Sequence, residues 1–358
     1  MENANYGIKD LLSALVKNSG SDLHLTVGMP PTIRVHGALI KMNLPPLTSS
    51  EIKRLANEVL SDKQRADLEE NLELDCAYEI PGLSRFRVNI FYSRLGPAGV
   101  FRTIPTKIKT MAELNMPVHL EELAMKNRGL VLVTGPTGSG KSTTLAAIIN
   151  KANQLRKDHI LTIEDPIEFV HTPINCIINQ REIGSNTRSF ANALRSALRE
   201  DPDIILVGEM RDYETISLAI TAAETGHLVF ATLHTNSAAS TIDRIIDVFP
   251  PHQQAQIKTQ LAETIQAVIA QQLIPTRDGK GRVCALEIMM GTYPVRSLIR
   301  EGKTFQLATV MQTSTKEGMV LLDQSLKDLV KKGVISPKEA YHRAIEKKAF
   351  EDLIKAGI

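Results

Sequence analysis

Gly135-Pro136-Thr137-Gly138-Ser139-Gly140-Lys141-Ser142 is the stretch from which the rest of this 358-residue chain can be read. It fits GxxxxGK[ST] at every fixed position. An apolar run, 130–134, precedes it and a helical run, 143–155, follows it, which is the strand–loop–helix context the motif requires. Glycines let such a loop wrap its amides inward, at a helix N-terminus whose partial positive charge favours anions. Gly135, Pro136, Thr137, Gly138, Ser139, Gly140, Lys141, Ser142 and Thr143 are therefore expected to cradle a nucleoside triphosphate. Lys141 is expected to reach the β- and γ-phosphates and the Ser142 hydroxyl to ligate Mg²⁺. No Asn-Lys-x-Asp guanine signature occurs, so ATP is the expected nucleotide.

Outward from the loop, short runs of Val, Ile and Leu recur at 130–134, 160–164, 204–208 and 228–233. Runs without polar alternation are what buried parallel strands look like. Helical patterns separate the clearer pairs, as in 189–200, where Phe190, Ala193, Leu194, Ala197 and Leu198 share one side. The fold class is therefore α/β, a doubly wound ATPase-type domain over 118–275. Residues 276–358 read as mostly helical. The stretch 105–117, bounded by Pro105 and Pro117, reads as a linker. Residues 1–104 read as a smaller α+β domain. There Thr48-Ser49-Ser50-Glu51 is a capping box, and in 84–92 Phe86, Val88 and Ile90 alternate with Arg85, Arg87 and Asn89.

Hydrolysis needs a second acid for the metal and a base to orient water. The apolar strand 204–208 runs into Glu209, which takes the metal-side position usually held by Asp. Glu164 ends another strand and is the expected general base. Asp165, before Pro166, reads first as a turn residue, and both it and Glu168 compete for the base role. His227 and His234 bracket the strand 228–233. In doubly wound sheets ligands bind beyond the carboxyl ends of the strands, which favours a nucleotide contact from His234 and, less directly, from His227.

Composition limits the alternatives. With 42 basic and 40 acidic residues the net charge is +2, Trp is absent and aromatics are 4%. The basic stripe or stacking platform of a nucleic-acid motor is not in evidence, so no nucleic-acid partner is expected. Three cysteines about a hundred positions apart, with no CxxC, argue against a zinc ribbon and suit a reducing compartment. Met1–Asn5 lacks the features of a signal peptide. The charge-free stretch 225–242 carries His227, His234 and Asn236, so no membrane span is expected.

With these motifs in place the chain resembles the secretion ATPase superfamily, and within it the motors that retract type IV pili. The resemblance rests on the 135–142 loop, Thr162-Ile163-Glu164-Asp165-Pro166-Ile167-Glu168, and 198–203 running into Gly208-Glu209-Met210-Arg211-Asp212. Thr225-Gly226-His227 through His234-Thr235-Asn236, and the opening Ser21-Asp22-Leu23-His24-Leu25, also carry it. It implies a hexameric ring of PAS-like N-terminal and RecA-like ATPase domains. The ring would lie at the cytoplasmic face of the inner membrane, against a membrane platform protein of the pilus machine. Arg85, Arg87, Arg94 and Arg102 match the N-terminal arginines that would close on the phosphates, and a solvated basic strand face is the competing reading. The segment 294–303 resembles the AIRNLIREGK-type motif of retraction motors, departing at Pro294, Val295 and Ser297. As a helix it would put Arg296 and Arg300 on one face and leave Leu298 and Ile299 to hold it against the ATPase domain. An accessory retraction ATPase, a RecA-like nucleic-acid motor and a nucleotide-gated scaffold that does not turn over remain the alternatives.

Overall fold

The computed structural model describes residues 6–355 apart from His36, Thr106 and Lys280. Met1–Asn5, read above for a signal peptide, lies outside the described residues. The chain forms two compact units, Met1–Lys107 with Glu168–Val170, and Ile108–Ile167 with His171–Ile358.

In the first unit six antiparallel strands make one sheet: β1 (Asp22–Leu25), β2 (Thr32–Val35), β3 (Ala38–Lys41), β4 (Glu73–Ile80), β5 (Ser84–Ser93) and β6 (Gly96–Ile104). Their order is β3-β2-β1-β6-β5-β4. The alternation read in β5 divides its two faces: Phe86, Val88 and Ile90 are buried with Leu11, Leu12 and Leu15 of the helix Ile8–Lys17. The capping box forms as read. The Glu51 carboxylate accepts the Thr48 amide at 2.7 Å, and Thr48 Oγ1 accepts the Glu51 amide at 3.3 Å.

The second unit is built on seven strands: β7 (Gly129–Thr134), β8 (His159–Glu164), β9 (Ile177–Glu182), β10 (Ile204–Val207), β11 (Leu228–Leu233), β12 (Ile265–Pro275) and β13 (Arg282–Met290). They lie in the order β13-β12-β7-β11-β10-β8-β9, and all neighbours are parallel except β12 and β13. Successive residues of β7 feed opposite cores. Leu130 and Leu132 pack with the helices Tyr213–Glu224 and Ala238–Asp247, and Val131 and Val133 pack with the helix Lys141–Leu155. Burial on both faces is why β7, β8, β10 and β11 lack polar alternation.

Two sequence expectations change here. The region after 275, read as mostly helical, opens with β13, whose residues pair with β12 from Ala267↔Met290 to Pro275↔Arg282. Gln271 and Gln272 in β12 and Glu287 in β13 interrupt the apolar runs, which hides both strands from a pattern search. Among the described residues of the 105–117 stretch there is no helix or strand, but it is not a loose tether. Met111 and Met116 are buried in the core beside β7, and Thr110 and Glu113 cap one another.

The 294–303 segment forms the helix Tyr293–Glu301. Val295 and Ile299 are fully buried and Leu298 is half-buried. Arg296 and Arg300 do not share an outward face. Arg300 is exposed, whereas the Arg296 guanidinium turns inward and donates to the carbonyls of Gly291 (2.7 Å), Ala262 (3.3 Å) and Glu263 (2.5 Å). The last two close the helix Pro251–Thr264, whose C-terminal carbonyls carry the negative end of the helix dipole.

Candidate active site

The parallel register delivers the carboxyl ends of β7, β8, β10 and β11 to one edge of the sheet. Four motifs meet there: the 135–142 loop after β7, Glu164 at the end of β8, Glu209 just past β10 and His234 just past β11.

The loop is built by backbone geometry. Gly135, Gly138 and Gly140 have φ of 138°, 78° and 90°, a region that L side chains avoid. At Gly135 even space is lacking, because a Cβ would lie 2.3 Å from the Gln271 carbonyl and 2.6 Å from Ser139 Oγ. Lys141 Nζ donates to the Gly135 and Pro136 carbonyls at 2.8 and 3.2 Å, so the cation lies across the loop. Thr134 Oγ1 and Ser139 Oγ are buried with no partner among the described residues, hydrogen-bonding capacity that suits a polar ligand. Ser142 and Thr143 continue from Lys141 in the first turn of the helix Lys141–Leu155. Pro136 and Thr137 lie in the loop itself.

Gln271, in β12, escaped the sequence reading. Its Nε2 donates to the Ser139 carbonyl at 2.7 Å and its Oε1 accepts from Thr144 Oγ1 at 3.0 Å, with the side chain buried. It ties the loop and the following helix to the neighbouring strand. The signal was a glutamine inside an otherwise apolar run. Gln271→Leu would leave a buried carbonyl and a buried hydroxyl unpaired, and about 2 kcal/mol of unfolding free energy should be lost. Denaturant unfolding checks this; a midpoint equal to the parent's removes the tie.

Glu164 is buried and accepts at Oε1 from Thr162 Oγ1 (2.7 Å) and Gln180 Nε2 (3.3 Å). Gly208 packs against this strand end. A Cβ at Gly208 would sit 3.1 Å from the Ile163 carbonyl oxygen and 3.2 Å from Glu164 Cα, so a side chain here would crowd the end of β8. Glu209 is held by two partners. Arg211 reaches both carboxylate oxygens at 2.6 Å and His234 Nε2 lies 2.8 Å from Oε1. Burial alone would raise the Glu209 carboxyl, but the Arg211 and His234 hydrogen bonds and charges outweigh it and hold it below the usual carboxylate range. With the Ser142 hydroxyl, Glu209 makes a pair of hard oxygen donors, the chemistry that suits Mg²⁺. Among the described residues no cluster of three His, Cys, Asp or Glu makes a separate metal site.

His227 is not brought to this edge within the chain. The β11–β7 register runs from Leu228↔Gly129 to Leu233↔Thr134, so His227 stands at the amino end of β11, the far end from the loop. Its Nδ1 lies 3.0 Å from the Ala222 carbonyl and its own carbonyl accepts from Gly129 N, the bonds of a structural histidine.

The N-terminal arginines form part of a lateral row. Register aligns Arg34, Asp22, Arg102 and Arg87 across β2, β1, β6 and β5. Asp22 is buried and accepts from Arg102 Nε at 2.8 Å, with Arg34 Nε at 3.8 Å. Burial raises the Asp22 carboxyl, and the Arg102 and Ser21 bonds more than reverse that, holding it low. Arg85 shares the Arg87 face of β5, and Arg94 lies in the turn between β5 and β6.

The chain is 56% identical over 337 residues to the "Type IV pilus retractation ATPase PilT" of Pseudomonas aeruginosa, covering 94% of this chain and 98% of that protein. It is 54% identical over 314 residues to a "Twitching motility protein" of Neisseria gonorrhoeae, covering 88% and 84%. A solved structure described as "Crystal Structure of the Pilus Retraction Motor PilT and Bound ADP" superposes with a TM-score of 0.91 at 44% identity, over 97% of this chain and 100% of that one. The family model "Type II/IV secretion system protein" matches residues 5–343, nearly the whole length, and the chain belongs to that family.

Proposed function

We propose that this chain is the ATP-hydrolysing motor of type IV pilus retraction, the process behind twitching motility. The observation that carries the reading is the meeting of the Lys141 loop, Glu164, Glu209 and His234 at one sheet edge, in a chain 56% identical to a pilus retraction ATPase. In this reading the loop amides and Lys141 hold the ATP phosphates. Glu164 takes a proton from the attacking water, and His234 hydrogen-bonds the terminal phosphate and so reports its presence. Ser142 and Glu209 are the groups that would hold Mg²⁺, which when bound neutralises developing charge on the phosphates. Arg85, Arg87, Arg94 and Arg102 are proposed to supply positive charge to the triphosphate when subunits assemble, and His227 keeps a structural role.

The active form is proposed to be a closed homohexamer acting on a membrane platform protein at the cytoplasmic face of the inner membrane. Heterologous interfaces that close make rings. Among the described residues no helix is long and apolar enough to cross a membrane. Specific ATPase rate should therefore rise with protein concentration until the ring is complete. Light scattering that finds a fully active monomer would overturn the hexamer. The function itself is tested by deleting the gene: piliated cells that no longer retract their pili are expected. Normal retraction would leave this chain an accessory.

A further inference from the structure

We propose that Thr162 and Gln180 are positioning residues that grip the Glu164 carboxylate by its Oε1 atom and so fix the plane in which it meets the attacking water. The inference rests on Glu164 being the base. It begins with register, because β8 and β9 are parallel with Thr162 opposite Gln180 and Glu164 opposite Glu182. Residues two apart on a strand share a face, so all four side chains gather on one side of the sheet at its catalytic end.

The Gln180 amide has only one orientation that works. The His171 backbone N–H donates to Gln180 at 2.8 Å, and an N–H needs an acceptor, so the amide oxygen must face His171. The NH₂ is then turned to Glu164, where it lies 3.3 Å from Oε1. His171 is buried, and burial lowers its imidazole to about 4, so the ring is neutral and brings no charge to the cluster. Thr162 Oγ1 donates to the same Oε1 atom at 2.7 Å from a fully buried position. Glu182, the second carboxylate opposite Glu164, is turned away to a different task. It accepts the Ile167 amide at 3.0 Å and the Ser185 hydroxyl at 3.2 Å, fixing the turn that follows Glu164. Two donors on one oxygen, one from the buried strand β8 and one from its edge neighbour β9, stop the carboxylate rotating. Orientation of this kind contributes to rate without contributing to substrate affinity.

The test compares Thr162→Val, Thr162→Ser, Gln180→Ala and Glu164→Gln in the full-length protein. ATP affinity is read with a fluorescent analogue and hydrolysis in a single turnover. Thr162→Val and Gln180→Ala are expected to slow hydrolysis by about tenfold at unchanged affinity, the scale of a small misplacement of a catalytic group. Thr162→Ser, which keeps the hydroxyl, should restore most of the rate. Added to Glu164→Gln, neither change should cost more, since residues acting through one another are not additive. Parent-level rates in both single variants overturn the proposal. So does a loss of affinity that tracks the loss of rate, or a failure of serine to rescue. If Glu164→Gln itself turns over at the parent rate, the base assignment has failed, a result distinct from a failed grip on an essential Glu164.

Discussion

Glu164→Gln is expected to bind ATP as the parent does and to hydrolyse it at least about 10²-fold more slowly, the usual contribution of a positioned general base. The exchange keeps the size of the side chain and an oxygen for the Thr162 hydroxyl, which donates to Oε1 at 2.7 Å. It removes the group able to accept a proton. Lys141→Ala is the contrasting variant. Its ammonium lies across the loop on the Gly135 and Pro136 carbonyls, so its loss should weaken nucleotide binding before any chemistry begins. Equilibrium binding of an ATP analogue beside phosphate release separates the two defects. Turnover by Glu164→Gln at the parent rate would shift the base role to Glu168.

The parts of the site that are local in sequence were readable in advance. The loop needs its glycines at fixed spacing, so the spacing alone announces it, and the two glycines the motif fixes, Gly135 and Gly140, both have positive φ. Glu164, Glu209 and His234 follow apolar runs, and a parallel sheet sends the ends of such runs to one edge. Reading failed where function depends on which strands lie side by side. Gln180 and Gln271 act across strand pairs, β9 on β8 and β12 on β7, and a glutamine within a strand does not say which neighbour it will face. His227 was drawn toward the site because it flanks a strand that ends there, yet it sits at the wrong end of that strand. Arg296 looked like a surface cation from its spacing to Arg300. Its burial became visible only once the helix Pro251–Thr264 placed unpaired carbonyls beneath it.

Separation of ATP turnover from mechanical output is the second large effect expected, and the two sides of the helix Tyr293–Glu301 carry it. Val295 and Ile299 are fully buried against the core. Leu298, partly buried at the margin of the same core, also lines an open groove of about 500 Å³ with Tyr293, Ser297, Gln306 and Val310, and Tyr293 is 81% exposed. The groove lies along the segment that resembles the retraction-motor motif, so it is the surface through which mechanical output is expected to pass. None of these residues belongs to the strand ends that build the nucleotide site. Tyr293→Ala combined with Leu298→Ala should therefore abolish pilus retraction in cells, with the ATPase rate of the purified protein falling less than about tenfold, ~1.4 kcal/mol of barrier. Ile299→Ala is the control for a merely structural helix, because emptying a fully buried position costs about 2–5 kcal/mol and should reduce both readouts. Joint loss of ATPase and retraction in the groove variant would reduce the segment to scaffold. Unchanged motility would show that the motor's stroke leaves the protein by another surface.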